Sequence, residues 1–283
     1  MNESTRSGRQ GTLLIIGGHE DKKGERLILK ELAQRARGGS LLVATLASHN
    51  RVDELWDIYS RQFRELGVDD VVHFHIDGRA QANAAENVTL LDRARVVFFT
   101  GGDQLKITSD LAGTELCERL LRFYREDGGT IAGTSAGAAV MPETMLVSGR
   151  GGESHRIGDR LSMSPGLGKI KGVIVDQHFA ERGRLGRLLA AVAQNPSALG
   201  IGIDEDTAIL VEGNDEFRVI GDGAVYVLDG QGITYTNVAD RARETTLAVS
   251  NMRLHALSHG HAFNLQQRVP LEAASTSPLL EPN

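Results

Sequence analysis

Short apolar runs alternate with longer stretches of helical period along most of the chain. TLLIIGG (12–18), SLLVATLAS (40–48), VVHFHI (71–76), RVVFFTGG (95–102), TIAGTS (130–135) and VIVDQHF (173–179) read as buried strands. Between them helices are expected from about Gly24 to Arg37, over VDELWDIYSRQFRELG (52–67) and over the short QANAAENVTLLDRA segment. Two more are expected over LAGTELCERLLRFYREDGG (111–129), with its glycine stop, and ERGRLGRLLAAVAQN (181–195). Val/Ile/Leu-rich strands alternating with helices imply a mostly parallel sheet covered on both faces, and the predicted class is α/β.

From Thr207 the pattern changes. AILVEG, FRVIGDG, AVYVLDGQG and ITYTN read as short strands joined by Gly, Asn or Asp turns, which predicts a C-terminal β-meander. No Pro/Ser-rich linker separates the two parts, so residues 1–266 are read as one domain whose closing part, from about 207, is β-rich. Residues 267–283 lose periodicity and are expected to form a flexible tail.

Composition narrows the function classes. The 283 residues suffice for a sizeable core, and 41% hydrophobic with 24% charged residues is ordinary for a globular protein. A net charge of −6 argues against a general nucleic-acid binder, which needs a basic face. Cys117 is the only cysteine, so no intramolecular disulfide can form. No apolar run approaches the about 20 residues of a membrane span, and a cytoplasmic location is expected. The sequence admits a homodimer without fixing the oligomeric state.

The glycine-rich or polar clusters GGHED, TGGDQ, GTSAGA and DQH all fall at predicted strand carboxyl ends, where ligands of such sheets bind. Gly133-Thr134-Ser135-Ala136-Gly137 matches G-x-S-x-G, a sharp strand-to-helix turn that lifts a serine nucleophile out of a sheet. Short Gly/Ser/Ala turns are common, so the same letters also fit a plain turn. A phosphate loop fits less well, for there is no G-x-x-x-x-G-K-[ST]. A serine needs a base, and His178 ends a strand on the same rim. The base needs an orienting carboxylate. Glu205, in GIGIDEDTA, is one candidate; Glu153, in the glycine-rich SGRGGESHRIGD stretch, competes with it. Gly102 and Ala136 could offer backbone N–H groups to an oxyanion, and Gln104 could line the pocket. His259 and His261 lie two apart, but no H-E-x-x-H accompanies them, and neither a metal nor another cofactor is expected.

In this order and spacing, GGHED, GGDQ, GTSAGA, DQHF and GIGIDEDTA resemble the S51 serine-peptidase family, which contains cyanophycinase and aspartyl dipeptidase (peptidase E). The resemblance runs from about Thr12 to Gly230. It implies a sheet similar to class I glutamine amidotransferases and a Ser–His–Glu triad on Ser135, His178 and Glu205. It also implies, as substrate, cyanophycin: polyaspartate carrying an arginine amide-linked to each β-carboxyl, cut to β-aspartyl-arginine. The pocket residues it implies are Gln104, Asp176, Gln177, Arg182, Arg184 and Arg187. Three arginines in ERGRLGR could grip carboxylates, although such a run also fits a solvated helix face. The alternative within the family is an aspartyl dipeptidase acting on small N-terminal-Asp peptides.

Overall fold

The computed structural model describes residues 10–148, 161–213, 215–240 and 246–271. Five parallel strands form the heart of the main sheet: β1 (Thr12–Ile16), β2 (Ser40–Ala44), β3 (Val71–Phe74), β4 (Ala94–Phe99) and β5 (Thr130–Thr134), in the spatial order β1-β5-β4-β2-β3. Alternate side chains of these strands point to opposite faces, and both faces are apolar. On β1, Leu14 and Ile16 pack beneath Ile28, Leu29 and Leu32 of α1 (Leu27–Arg35) and Tyr59 and Phe63 of α2 (Val52–Glu65). Leu13 and Ile15 join the opposite core. The segment between β3 and β4 is helical but broken, into α3 (Arg79–Ala82), α4 (Ala85–Thr89) and a 3-10 turn, Leu90–Asp92.

Two helices stand where one was expected after β4. Asp103 caps α5 (Gln104–Leu111) by accepting from the Leu105 N–H at 2.8 Å, and Thr114 caps α6 (Glu115–Arg125) by accepting from the Cys117 N–H at 3.3 Å. Their Ile107, Leu111, Leu116, Leu120 and Phe123 cover the second face of the main sheet. The single turn α7 (Ala136–Ala139) follows β5 directly, and an antiparallel pair, β6 (Thr144–Ser148) and β7 (Ser162–Pro165), comes next.

A second sheet holds the next strands. β8 (Val173–Gln177) and β9 (Leu199–Ile203) run parallel as neighbours, with α8 (Leu185–Gln194) between them in the chain. Val173, Val175, Leu199, Ile201 and Ile203 share the core of the main sheet's second face, while Ile174 packs outward against Leu188 and Val192 of α8. The C-terminal strands expected from Thr207 are present but divided between the sheets. β10 (Thr207–Glu212) pairs antiparallel with β1, and β11 (Glu216–Gly221) with β10. β12 (Val225–Asp229) crosses over to pair with β9, since Val225 and Val227 belong to the shared core.

The two-residue strands β13 (Tyr235–Thr236) and β14 (Val249–Ser250) pair with each other, and β15 (Arg253–Leu257) completes the second sheet. β16 (Ala262–Asn264) and β17 (Val269–Leu271) extend the main one. β17 lies within the segment expected as a tail from 267, and through Leu271 it pairs with β16. Residues 272–283 lie outside the described residues. No helix among the described residues is long and apolar enough to cross a membrane.

Candidate active site

Strand carboxyl ends from both sheets converge on one rim, and the end of β1 joins them. Ser135 N–H donates to Ile16 O at 3.1 Å, His178 N–H to Gly17 O at 2.8 Å and Asp206 N–H to Gly18 O at 2.8 Å. Ile16, Gly17 and Gly18 are thus the common backbone anchor of three loops that lie far apart in sequence. Gly18 has to be glycine: its φ is 112°, and a Cβ there would stand 2.3 Å from Cε1 of the His178 ring.

Ser135 leaves β5 at φ 54°, ψ −110°, a conformation that costs a non-glycine residue free energy and is the signature of an elbow. Its Oγ lies 2.9 Å from Nε2 of His178. His178, also at positive φ (48°), is 3% exposed. Its Nδ1 lies 2.6 Å from Oε1 of Glu205, one turn beyond β9. The other oxygen of Glu205 is taken as well, at 2.9 Å from Nδ1 of His19. One nitrogen of His178 therefore faces a hydroxyl and the other a carboxylate, the geometry needed to receive a proton from Ser135 and stabilise the resulting imidazolium.

The electrostatics suit that task. Burial pulls the His178 pKa below its usual 6.5; the Glu205 hydrogen bond opposes this, and Arg182 adds to it. Burial alone would raise the Glu205 carboxyl, but hydrogen bonds from His178 and His19 bring it below its ordinary value. The ring is held neutral and the carboxylate charged at neutral pH.

A cleft of about 550 Å³ opens over Ser135 and His178. One wall is the Gly101–Asp103 turn after β4. Gly102, at φ 148°, lies so close to Ala47 that a Cβ would stand 2.2 Å from its carbonyl oxygen, and the Asp103 N–H donates to that same oxygen at 2.8 Å. Directly after Ser135 the Ala136 N–H begins α7, where no intrahelical acceptor exists for it. Lys22, Arg51 and Arg182 bring cations to the lining, against one carboxylate, Asp103.

Of the six pocket residues expected from the sequence, the cleft lining contains Arg182 alone. Gln104 instead donates to the carbonyls of Leu146 and Val147, at 3.4 and 3.1 Å. Asp176 is fully buried and accepts from Arg184 Nη1 at 3.2 Å, from Arg187 Nε at 2.9 Å and from Arg187 Nη2. The Gln177 carbonyl accepts from Arg184. Asp176, Gln177, Arg184 and Arg187 thus form an internal ion cluster under the β8 rim rather than the expected carboxylate grip. Helix α8 begins only at Leu185, so Arg182 lies in the preceding turn. Glu153 lies outside the described residues.

Two residues at the rim escaped sequence reasoning. His19 and Glu20 were visible only as letters of GGHED. Glu20 is 2% exposed; its Oε2 accepts from the Thr134 hydroxyl at 2.7 Å, and its Oε1 from Lys22 Nζ at 3.0 Å and from the Tyr59 hydroxyl. A charged residue directly after two glycines at a strand end was the available signal. His19, His178 and Glu205 also offer ligand atoms within 4.8 Å of one another, close enough to hold a metal ion, but these atoms already serve one another as hydrogen-bond partners.

The model of peptidase family S51 matches residues 13–220. The chain is 39% identical to a cyanophycinase of Geminocystis herdmanii over 263 residues, covering 93% of this chain and 96% of that one. It is 40% identical to a cyanophycinase of Nostoc sp. over 262 residues, covering 92% and 88%. Among solved structures, a peptidase from an acI-B1 Actinobacterium superposes with a TM-score of 0.66 at 24% identity, over 91% of this chain and 98% of that one. A putative peptidase E from Listeria monocytogenes reaches 0.51 at 16% identity, over 75% and 98%. At those identities the two structures speak for the fold alone.

Proposed function

The chain belongs to peptidase family S51, and from that premise we propose that it hydrolyses cyanophycin from a chain end, releasing β-aspartyl-arginine. Ser135 is the nucleophile, His178 the general base and acid, and Glu205 the carboxylate that orients His178. The observation carrying this reading is the continuous relay from Ser135 Oγ through His178 to Glu205, at 2.9 and 2.6 Å.

In the first step His178 Nε2 takes the Ser135 proton as Oγ attacks the scissile carbonyl. The oxyanion turns toward the N–H groups of Gly102 and Ala136, which are fixed in place before reaction. His178 then gives the proton to the leaving amine. Water repeats the cycle on the ester and frees Ser135.

The substrate class rests on cyanophycinases matching more than nine-tenths of the chain. The small-peptide alternative has no such support, since the peptidase E structure, at 16% identity, speaks for the fold alone. Arg182 is the cleft cation placed to meet a substrate carboxylate, while the Asp176 cluster braces the loop that carries His178. Incubating the protein with insoluble cyanophycin and identifying the soluble product by mass spectrometry tests the reading. β-Aspartyl-arginine is expected; intact polymer beside a folded protein would refute it.

A further inference from the structure

Lys22 is the one lysine in the cleft lining, and its ammonium group is unusually constrained. Nζ donates to Oε1 of Glu20 at 3.0 Å and to the Glu20 carbonyl at 3.0 Å, and it lies 5.2 Å from the centroid of the Tyr59 ring. Glu20 in turn binds the Thr134 hydroxyl, one residue before Ser135. A buried carboxylate therefore ties a cation to the base of the elbow.

An ammonium has three protons, and the described residues account for two. The Lys22 side chain remains 29% exposed and belongs to the cleft lining, while the Glu20 side chain is fully buried. Glu20 is well supplied with donors even apart from Lys22, since Tyr59 and Thr134 also reach it. A lysine needed only as a counter-ion could bury its head group against Glu20. This one stays partly exposed in the lining of the cleft that holds Ser135. Its tether holds the four-carbon stem in place before any ligand arrives, which removes part of the ordering cost of binding.

We propose that Lys22 is a specificity-determining residue that receives a carboxylate of the substrate and so sets where the chain lies relative to Ser135. This rests on the cyanophycin reading above. A unit of that polymer offers two carboxylate sources near a chain end: the α-carboxylate of the terminal aspartate and the α-carboxylate of the side-chain arginine. Either gives Lys22 a charge-assisted hydrogen bond, and Arg182 adds a second cation to the same lining.

The test couples a change in the substrate to a change in the protein. A short chain of β-aspartyl-arginine units is compared with the same chain carrying a terminal carboxamide, and with one whose arginine carboxylates are amides. Each is assayed for kcat/KM on the wild type and on Lys22→Met. Amidating the carboxylate that Lys22 receives is expected to slow the wild type about 10- to 100-fold and to change the variant by less than about threefold. The arm that shows this coupling identifies which carboxylate is bound. Lys22→Gln keeps a donor toward Glu20 and replaces the methionine variant if that one does not fold. A wild type indifferent to both amides overturns the proposal, and so does a variant that discriminates as strongly as the wild type. Equal slowing of all three substrates by the substitution also overturns it, because that would make Lys22 a support of the elbow only. A wild type that cleaves none of the substrates would instead refute the cyanophycin reading.

Discussion

Replacing Glu205 by glutamine removes the negative charge beside His178 while keeping the size of the side chain. In the wild type Oε1 stands 2.6 Å from Nδ1, so an imidazolium formed in the transition state meets a carboxylate directly. Two unit charges with centres about 4 Å apart interact by about 4 kcal/mol at an effective dielectric of about 20. At about 1.4 kcal/mol per power of ten, that is a factor of roughly 10³ in kcat. Glu205 is 25% exposed on its side chain, so solvent screening lowers the expected loss to about 10²- to 10³-fold. KM should stay nearly constant, because the interaction strengthens only as charge develops.

The pH profile gives an independent reading of the same substitution. His178 must be neutral to act as a base, and burial already sets its pKa below 6.5, so the acid limb of kcat/KM lies below that pH. Glu205 raises the His178 pKa, and its loss should move the limb further toward acid. Steady-state kinetics on cyanophycin or a defined oligomer, across pH, measure both effects. If Glu205→Gln keeps kcat within about threefold while Glu153→Gln abolishes it, the triad assignment is wrong.

Asp176→Asn should leave the buried Arg184 and Arg187 short of countercharge and cost roughly 3–5 kcal/mol, seen as a lowered Tm. Arg182→Ala, on an exposed cleft residue, should raise KM and leave Tm unchanged; the opposite pattern would return the substrate grip to the buried cluster. Gly18→Ala should push the His178 ring aside and lower kcat by about 100-fold or more in a protein that still folds, and unchanged kcat would remove the close packing as a requirement.

Much of this was readable in the sequence. The parallel strands of the main sheet are largely apolar runs, broken in β3 by His73, so β1 to β5 stand out, and so does the rim where Ser135 emerges. His178 and Glu205 were legible as polar residues just beyond apolar strands. What periodicity does not encode is the partner of a strand. VIVDQ and LGIGI are buried on both faces and would read the same in either sheet, so their departure to a second sheet was invisible. The helix α5 was hidden because QLKITSDL is short and mixes Thr, Ser and Asp with few apolar residues. The arginine run showed its charges but not their direction. Only the fold turns Arg184 and Arg187 inward onto Asp176, one of five consecutive buried residues in β8. The role of Gly17, Gly18 and Glu20 depends on contacts with residues as distant as Thr134 and His178, which no local window contains.

The claim that Ser135 performs the hydrolysis is tested most directly by Ser135→Ala. Alanine keeps the Cβ, so the backbone strain at φ 54° is unchanged, and the Ser135 hydroxyl is bonded to His178 rather than packed into the core. Tm should therefore match the wild type, while release of β-aspartyl-arginine from cyanophycin falls by several orders of magnitude. A folded Ser135→Ala protein that keeps more than a few per cent of the wild-type rate would contradict the serine mechanism.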